Sequence, residues 1–357
     1  RLERVYLSGE RAYPVLKACL KDEPTPLDKD KVRDFLALPV AVQLIVRKYF
    51  LPIARVMSML PIHSECAVGI NAHGPEWQQM HEYITMYGGS RTLAGDYKAY
   101  DLKMPAQLTQ AAFAILIDMA KEFGYDDNAL MIMRGVATDL TYPLVAYNGD
   151  LISFYNSNPS GHNLTVYINC IVNSLLLRCA FCAEYGVMDN IKFKEVCTLI
   201  TYGDDFIGSV NPLYPRYNHV TAARFMASIG MELTMPDKKS SPIPYLAIEN
   251  TDFLKRKSVY HEALGCHVGA LDEASIFKSL HSVLRSTALT TKEQSICNID
   301  GAVREWFAHG PELYEYRRLQ MVEVATQCEI AHACKEIHFS YEDRVNMWRV
   351  KYLAEDG

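Results

Sequence analysis

Two adjacent carboxylates, Asp204 and Asp205, stand between two short apolar runs rich in β-branched residues, 196–201 and 206–210. With Tyr202-Gly203 ahead of them, the pattern reads as two strands joined by a tight turn. Such a turn places two like charges at an exposed hairpin tip. Adjacent carboxylates repel unless a cation lies between them and their partners. Hard oxygen donors of this kind suit Mg²⁺. Alone, a Gly-Asp-Asp triplet reads equally well as an ordinary Asp-rich turn. The test is whether the chain supplies a third carboxylate and a nucleotide site.

Residues 92–101 supply the carboxylate. A short β-type run delivers Asp96 to a strand end, and Asp101 follows as the chain turns toward a helix expected to begin near Pro105. An acid at a strand end, beside a hairpin bearing two more, is the arrangement two-metal phosphoryl transfer needs. One metal would lower the pKa of an attacking hydroxyl and the other would steady a leaving diphosphate. Helix capping by Asp101, worth up to about 2 kcal/mol, is the competing reading. It accounts for Asp101 and not for Asp96.

Four further stretches bear on a nucleotide. Thr165 and Asn169 share one face of a helix expected over about 164–185, with the Ser160-Gly161 loop at its N-terminus. Small hydroxyl and amide groups placed there could read a ribose 2′-OH, though a polar cap with polar helix positions is common. Lys29, Lys31 and Arg33 alternate, which on a strand gives one face and a clamp for a triphosphate. Taken alone, a solvated charged loop is the better reading of those three. Lys238 and Lys239 follow a strand expected over 231–235; a lysine there could donate a proton to a leaving diphosphate, or simply be an exposed loop residue. Phe253-Leu-Lys255-Arg256-Lys257 joins an apolar anchor to three cations, which suits a grip on a nucleic-acid backbone.

The elements that must position these residues are legible as patterns. Helices are expected over 39–60, interrupted by Pro52, and over 75–87, 106–123, 127–138 and 217–230. A hairpin is expected over 142–155, turning on Asn148-Gly149 in type I′ geometry. Residues 271–352 are helical throughout. Within that run Cys328, His332, Cys334 and His338 resemble metal ligands. On one helix, however, Cys334 lies about 200° around from His332, so the four cannot converge. Cys179 and Cys182 sit in an apolar helix with no second pair at zinc-site spacing.

The 357 residues are 49% hydrophobic and 22% charged, enough for a large core and two or three subdomains. A net charge of −6 argues against a protein that coats nucleic acid with one broad basic face. A local channel remains open, since residues 11–55 hold nine Lys or Arg against five Asp or Glu. The ten cysteines, mostly in apolar surroundings, read as buried reduced thiols of a cytosolic protein. No signal peptide and no uninterrupted apolar span long enough to cross a membrane is apparent. A chain starting at Arg1 reads as a processed product or trimmed domain.

In this order, the stretches resemble the RNA-dependent RNA polymerases of picornavirus-like (Picornavirales) positive-strand RNA viruses. Asp96-x4-Asp101 looks like that family's motif A, Ser160-Gly161-x3-Thr165-x3-Asn169 like motif B, and Tyr202-Gly203-Asp204-Asp205 like motif C. Thr234-Met-Pro-Asp237-Lys238 is similar to motif D, Phe253-Leu-Lys255-Arg256 to motif E, and Lys21-Asp-Glu with Lys31-x-Arg33 to motif F. The helical tail, notably residues 299–307, is more like the insect and marine branches than the enteroviruses. Motif D is one residue shorter than the expected form, so Lys238 and Lys239 compete for one role. An N-terminal fingers segment bearing motif G is expected to lie outside this chain.

The resemblance implies an α+β right-hand polymerase, with fingers, a palm of antiparallel sheet packed on helices, and a helical thumb. Fingers are expected over 1–90 and 106–156, palm over 91–105 and 157–257, and thumb over 258–357. Asp96 and Asp204 would bind two Mg²⁺, which Mn²⁺ can replace, with Asp205 supporting and Lys238 as general acid. Lys21, Lys31 and Arg33 would hold the triphosphate, and Asp101, Ser160, Gly161, Thr165 and Asn169 the ribose. Lys255 and Arg256 would meet primer RNA. The implied partners are RNA template and primer, NTPs, a small protein primer and other viral replication proteins. The implied place is a replication complex in the host cytoplasm, joined to membrane only through partners. A reverse transcriptase shares the acids, but usually has an aromatic residue where Asp101 stands. A catalytically silent RNA-binding scaffold would have no reason to keep three repelling carboxylates, and a Mg²⁺ phosphatase would not need the Ser160–Asn169 array.

Overall fold

The computed structural model describes residues 1–23, 33–155, 158–186 and 191–353. Lys31, expected to touch a triphosphate, and Lys29 lie outside the described residues. The described chain divides into two compact units, one built from residues 1–21, 33–69 and 83–248, the other from 22–23, 70–82 and 249–353. Its strands, in chain order, are β1 (Val15–Leu20), β2 (Asp34–Ala37), β3 (Thr92–Tyr97), β4 (Leu144–Tyr147), β5 (Asp150–Ser153), β6 (Ile200–Tyr202), β7 (Asp205–Ser209), β8 (Leu233–Thr234), β9 (Arg256–His261) and β10 (Cys266–Leu271).

The larger unit holds two four-stranded sheets, ordered β2-β1-β4-β5 and β6-β7-β3-β8. In the first, β1 pairs antiparallel with β2 and parallel with β4, while β4 and β5 form the expected hairpin. Asn148 and Gly149 have φ 49° and 95°, the two positive values a type I′ turn requires. In the second sheet every pairing is antiparallel. β1 has no counterpart in the sequence reading, because only Leu16 along it is buried and the pattern is therefore weak.

Helices back these sheets for simple reasons of spacing. In the Ala106–Glu122 helix the buried positions are 109, 112, 113, 116, 117 and 120, one stripe at helical period. It packs on the Asp127–Thr141 helix, whose first turn is capped by Asp126 Oδ1 accepting from Ala129 N at 2.8 Å. Burying each Phe or Leu in this core is worth roughly 1.5–3 kcal/mol. The Val40–Met59 helix runs through Pro52 where an interruption was expected.

The Thr165–Tyr185 helix is interrupted by Asn169, Asn173, Ser174 and Arg178, so it is no unbroken apolar span. It is long and apolar enough, at a mean hydropathy of 1.6, to cross a membrane by length and composition. Its apolar residues are instead used in the core, with Ile168, Val172, Leu176, Leu177 and Ala180 fully buried. A helix that is apolar nearly all round is what a core surrounded on several sides demands.

The smaller unit joins the β9–β10 hairpin to helices Glu273–Leu280, Thr291–Trp306, Pro311–Gln327 and Tyr341–Leu353. Trp306, Tyr314, Ile337 and Trp348 belong to its core. The Thr291 helix starts on a capping box between Thr290 and Glu293, and the next helix starts with Pro311. The expected helical run is broken at 281–290 and again after Gln327, where Glu329 takes φ 55°. Cys328, His332, Cys334 and His338 therefore do not share one helix, contrary to expectation. The cysteines also differ from expectation. All ten are free thiols, but Cys179, Cys297 and Cys328 are exposed.

Candidate active site

Sheet register brings the acids together. β3 lies between β7 and β8; Gly95 pairs with Phe206 and Asp96 with Thr234. The end of β3 at Asp96 thus comes opposite the start of β7 at Asp205. Asp204 stands beside it in the two-residue loop between Tyr202 and Asp205, which are paired. Gly203 has φ 65°, and a positive value at the first loop position is the type II′ pattern, which selects glycine.

This hairpin tip is tied to the Thr165–Tyr185 helix. Asn173 Nδ2 donates to the carbonyls of Gly203 at 3.1 Å and Asp204 at 3.0 Å. Its Oδ1 accepts from Tyr97 OH at 3.1 Å. Gly203 N donates to Cys170 Sγ at 3.1 Å. Behind the tip, Glu65 O accepts from Thr201 N at 2.8 Å and from Thr201 Oγ1 at 2.6 Å. The Glu65 carboxylate, buried, takes both ends of the Arg178 guanidinium at 2.7 Å.

Of the two candidate lysines, Lys238 reaches the acids. Its Nζ lies 2.9 Å from Asp96 Oδ2. The backbone of Lys238 is left-handed, φ 61°, after β8 ends at Thr234. Asp237 shapes that turn by accepting from the N–H groups of Lys239 at 3.0 Å and Ser240 at 2.9 Å.

Asp101 lies in a short helix, Tyr100–Lys103, whose N-cap is Ala99, so the capping alternative does not hold. Its Oδ1 accepts from Asn169 Nδ2 at 2.8 Å. Asn169 Oδ1 accepts from Asn158 Nδ2 at 2.7 Å, and Asn158 Oδ1 meets His162 Nε2 at 2.9 Å. Thr165 is used internally: its hydroxyl donates to Pro159 O or His162 O, both at 2.9 Å. It therefore clamps the loop to the helix, rather than facing a ligand as expected. Gly161 has φ 128°, and a Cβ there would collide with the Leu36 carbonyl of β2. Only glycine lets the loop lie against that strand. Ser160 O accepts from Leu36 N at 2.6 Å, completing the contact.

A cavity of about 300 Å³ opens between these parts. Lys21, Arg33, Tyr100, Asp101, Ser160 and Asp204 are among its walls. Lys21 and Arg33 are neighbours because Lys21 N donates to Arg33 O at 2.9 Å, extending the β1–β2 ladder. Burial raises the Asp101 pKa, against the Asn169 hydrogen bond and the charges of Lys21 and Arg33, which pull it down. Burial also raises the pKa of Asp204, and the nearby Asp101 and Asp96 add to the rise while Lys238 opposes it.

These are desolvated carboxylates that disfavour one another's charge, and hard oxygen donors in that state fit a divalent cation. Asp96 and Asp204 are the two that could hold it. Among the described residues no three His, Cys, Asp or Glu converge at metal-holding spacing. Like charges repel, and Lys238 neutralises Asp96 instead.

In the smaller unit, Arg256 corrects the expected grip on nucleic acid. Its guanidinium donates to Glu305 at 2.7 and 2.8 Å and to Gly269 O at 2.9 Å. A fork so occupied has little left for a phosphate. Burial alone would raise the Glu305 pKa, but hydrogen bonds from His73 and Arg256 outweigh it and hold it at about 2. Lys255 remains exposed.

The sequence reading passed over Asn158, His162, Asn173 and the Glu65–Arg178 pair. Asn173 carried a usable signal, since it continues the Thr165, Asn169 spacing by another four residues along an apolar helix. Glu65 and Arg178 had none, being 113 residues apart.

The sequence profile of a family described as viral RNA-dependent RNA polymerase matches residues 2–326. The chain belongs to that family. It is 29% identical over 341 residues to the replicase polyprotein of Drosophila C virus, covering 90% of this chain and 19% of the polyprotein. The replicase polyprotein of Cricket paralysis virus is 27% identical over 356 residues, with coverage of 94% and 20%. The RNA1 polyprotein of Cowpea mosaic virus is 28% identical over 341 residues, with coverage of 90% and 18%. The chain thus spans about a fifth of these curated relatives. The solved Sicinivirus 3Dpol RNA dependent RNA polymerase is 18% identical, with a TM-score of 0.73 over 99% of this chain and 70% of that one. That likeness establishes the right-hand polymerase fold, as the α+β expectation had it, and the family match together with these replicase relatives bears out the Picornavirales resemblance.

Proposed function

We propose that this chain performs template-directed RNA synthesis within a longer viral replicase, adding NTPs to a primer 3′-OH. One observation carries the reading: Asp96 and Asp204 meet at a sheet end beside a cavity walled by Lys21, Arg33 and Asp101. Carboxylates, phosphate-binding cations and a ribose-facing acid in one place match the needs of nucleotidyl transfer.

In this reading Asp96 and Asp204 hold two Mg²⁺, replaceable by Mn²⁺, with Asp205 in support. Those cations, when bound, lower the pKa of the attacking hydroxyl and neutralise charge on the leaving diphosphate. Lys21 and Arg33, with Lys31, pair with triphosphate oxygens; Arg does so as a fork and Lys as a point charge. Asp101 accepts a hydrogen bond from a ribose hydroxyl and is held for that by Asn169. Ser160, Gly161 and Thr165 shape the loop that closes the cavity. Lys238 gives its proton to the leaving diphosphate. Lys255 contacts primer RNA.

Fingers correspond to 1–90 and 106–156, palm to 91–105 and 157–257, and thumb to 258–357. The second compact unit takes up at residue 249, nine residues before that last boundary, and also includes residues 70–82 of the fingers range. The partners are RNA template and primer, a small protein primer and other viral replication proteins, in a replication complex of the host cytoplasm. Membrane contact comes through those partners.

Primer extension on an RNA template with Mg²⁺, offering NTPs or dNTPs separately, tests the proposal. Extension with NTPs alone is expected. Equal extension with dNTPs would move the assignment to a reverse transcriptase, and no extension with either by the longer replicase would contradict it.

A further inference from the structure

We infer that Asn158 and His162 are positioning residues for ribose selection, because they fix which end of the Asn169 amide faces Asp101. The inference rests on the polymerase reading above.

The hydrogen bonds run in one direction. Leu164 N donates to His162 Nδ1 at 3.2 Å, so that nitrogen is an acceptor and the ring carries its proton on Nε2. Nε2 then donates to Asn158 Oδ1 at 2.9 Å. With its oxygen so committed, Asn158 turns Nδ2 toward Asn169 Oδ1 at 2.7 Å and Thr165 O at 3.2 Å. Asn169 is left with Nδ2 facing Asp101 Oδ1 at 2.8 Å. His162, Asn158 and Asn169 are all buried.

Each link removes a choice. An amide side chain can turn over with little change of shape, so packing alone does not decide which end faces a neighbour. A reversed Asn169 would set its oxygen against the Asp101 carboxylate, losing a hydrogen bond and adding repulsion. The relay forbids that reversal, because Asn158 offers Asn169 only a donor. Asp101 is then held at the cavity wall by a donor and stays an acceptor for a ribose hydroxyl. Backbone bonds hold the same parts together: Asn158 N donates to Asp101 O at 3.3 Å, and Tyr100 OH donates to Asn169 O at 2.9 Å. A buried polar chain of this kind is stable only when every member is partnered. Asn158 borders the cavity, but its Nδ2 and Oδ1 are both taken by protein partners, which marks its side chain as a support.

The test is single-nucleotide incorporation with ATP and with dATP, resolving kcat and KM, together with the melting temperature of each variant. Asn158→Asp keeps the shape but cannot donate to Asn169 Oδ1. His162→Phe removes the Nε2 donor, and His162→Gln restores a donor near that point. Asn158→Asp and His162→Phe are expected to lower the ATP-over-dATP ratio of kcat/KM about tenfold, the worth of one good hydrogen bond. His162→Gln is expected to keep the wild-type ratio. Equal losses for both nucleotides, or an unchanged ratio in Asn158→Asp, would overturn the inference. If Asn158→Asp does not fold, His162→Phe against His162→Gln decides in the same way. Nitrogen NMR of the wild type reads the relay without any activity: a neutral Nε2–H imidazole at His162 supports it, and the Nδ1–H tautomer overturns it. A wild type that used ATP and dATP equally would refute the ribose reading itself, before any variant is compared.

Discussion

Lys238 Nζ stands 2.9 Å from Asp96 Oδ2, so the lysine after β8 is the partner of the acid at the end of β3. The contact separates two lysines that the sequence leaves equivalent. Lys238→Met is expected to slow single-turnover incorporation by roughly 10²-fold, in the range for loss of a general acid. Lys239→Met is expected to leave the rate within about twofold. Equal effects of the two substitutions would contradict the assignment.

The raised pKa of Asp204 is a statement about stability as well as chemistry. A carboxylate whose folded pKa lies above its ordinary 3.8 binds more protons folded than unfolded through that window. Stability therefore falls as pH rises through it, and the ionised group strains the fold at neutral pH. Asp204→Asn should melt higher than the wild type at pH 7 in the presence of a chelator, by roughly 1–3 °C. The gain should vanish below about pH 3, where the wild-type acid is itself protonated. Calorimetry of both proteins across that range checks this.

Asn173 holds the carbonyls of Gly203 and Asp204, and its loss leaves them without that donor. Asn173→Leu should cost about 1–3 kcal/mol in urea unfolding, the range for an unsatisfied buried acceptor. It should also slow incorporation, since the Asp204 loop loses its tie to the Thr165–Tyr185 helix. A variant with wild-type stability and rate would show that β6 and β7 alone position the turn.

Arg256 and Glu305 make the opposite kind of pair. Glu305 is held at about 2 against an ordinary 4.5, so its contribution is present above 4.5 and is lost as pH falls toward 2. Arg256→Ala should destabilise the protein by about 2 kcal/mol at pH 7 and make acid unfolding between those values less steep. Lys255→Ala should instead leave stability unchanged and weaken RNA binding, with a shallower dependence on salt.

The acids were legible in sequence because strand ends and tight turns have local signatures. Asp96, Asp204 and the Gly203 turn all stand where alternation and Gly-Asp chemistry place them. The Asn148-Gly149 hairpin was legible for the same reason. What escaped was non-local. Arg256 reads as a cation beside an apolar anchor until Glu305, 49 residues away, takes its guanidinium. Thr165 reads as a ligand-facing hydroxyl until the loop folds back and its oxygen meets Pro159 O. The Asn158–His162 relay depends on a ring tautomer and two amide orientations, which no spacing rule encodes.

The most direct test of the account is single-nucleotide incorporation by Asp204→Asn on an RNA template-primer with Mg²⁺, alongside a measurement of template-primer affinity. Incorporation is expected to fall by at least about 10³-fold, since members of a catalytic constellation act as a unit, while affinity for the template-primer is retained. Incorporation at or near the wild-type rate would contradict the claim that this sheet end carries the chemistry.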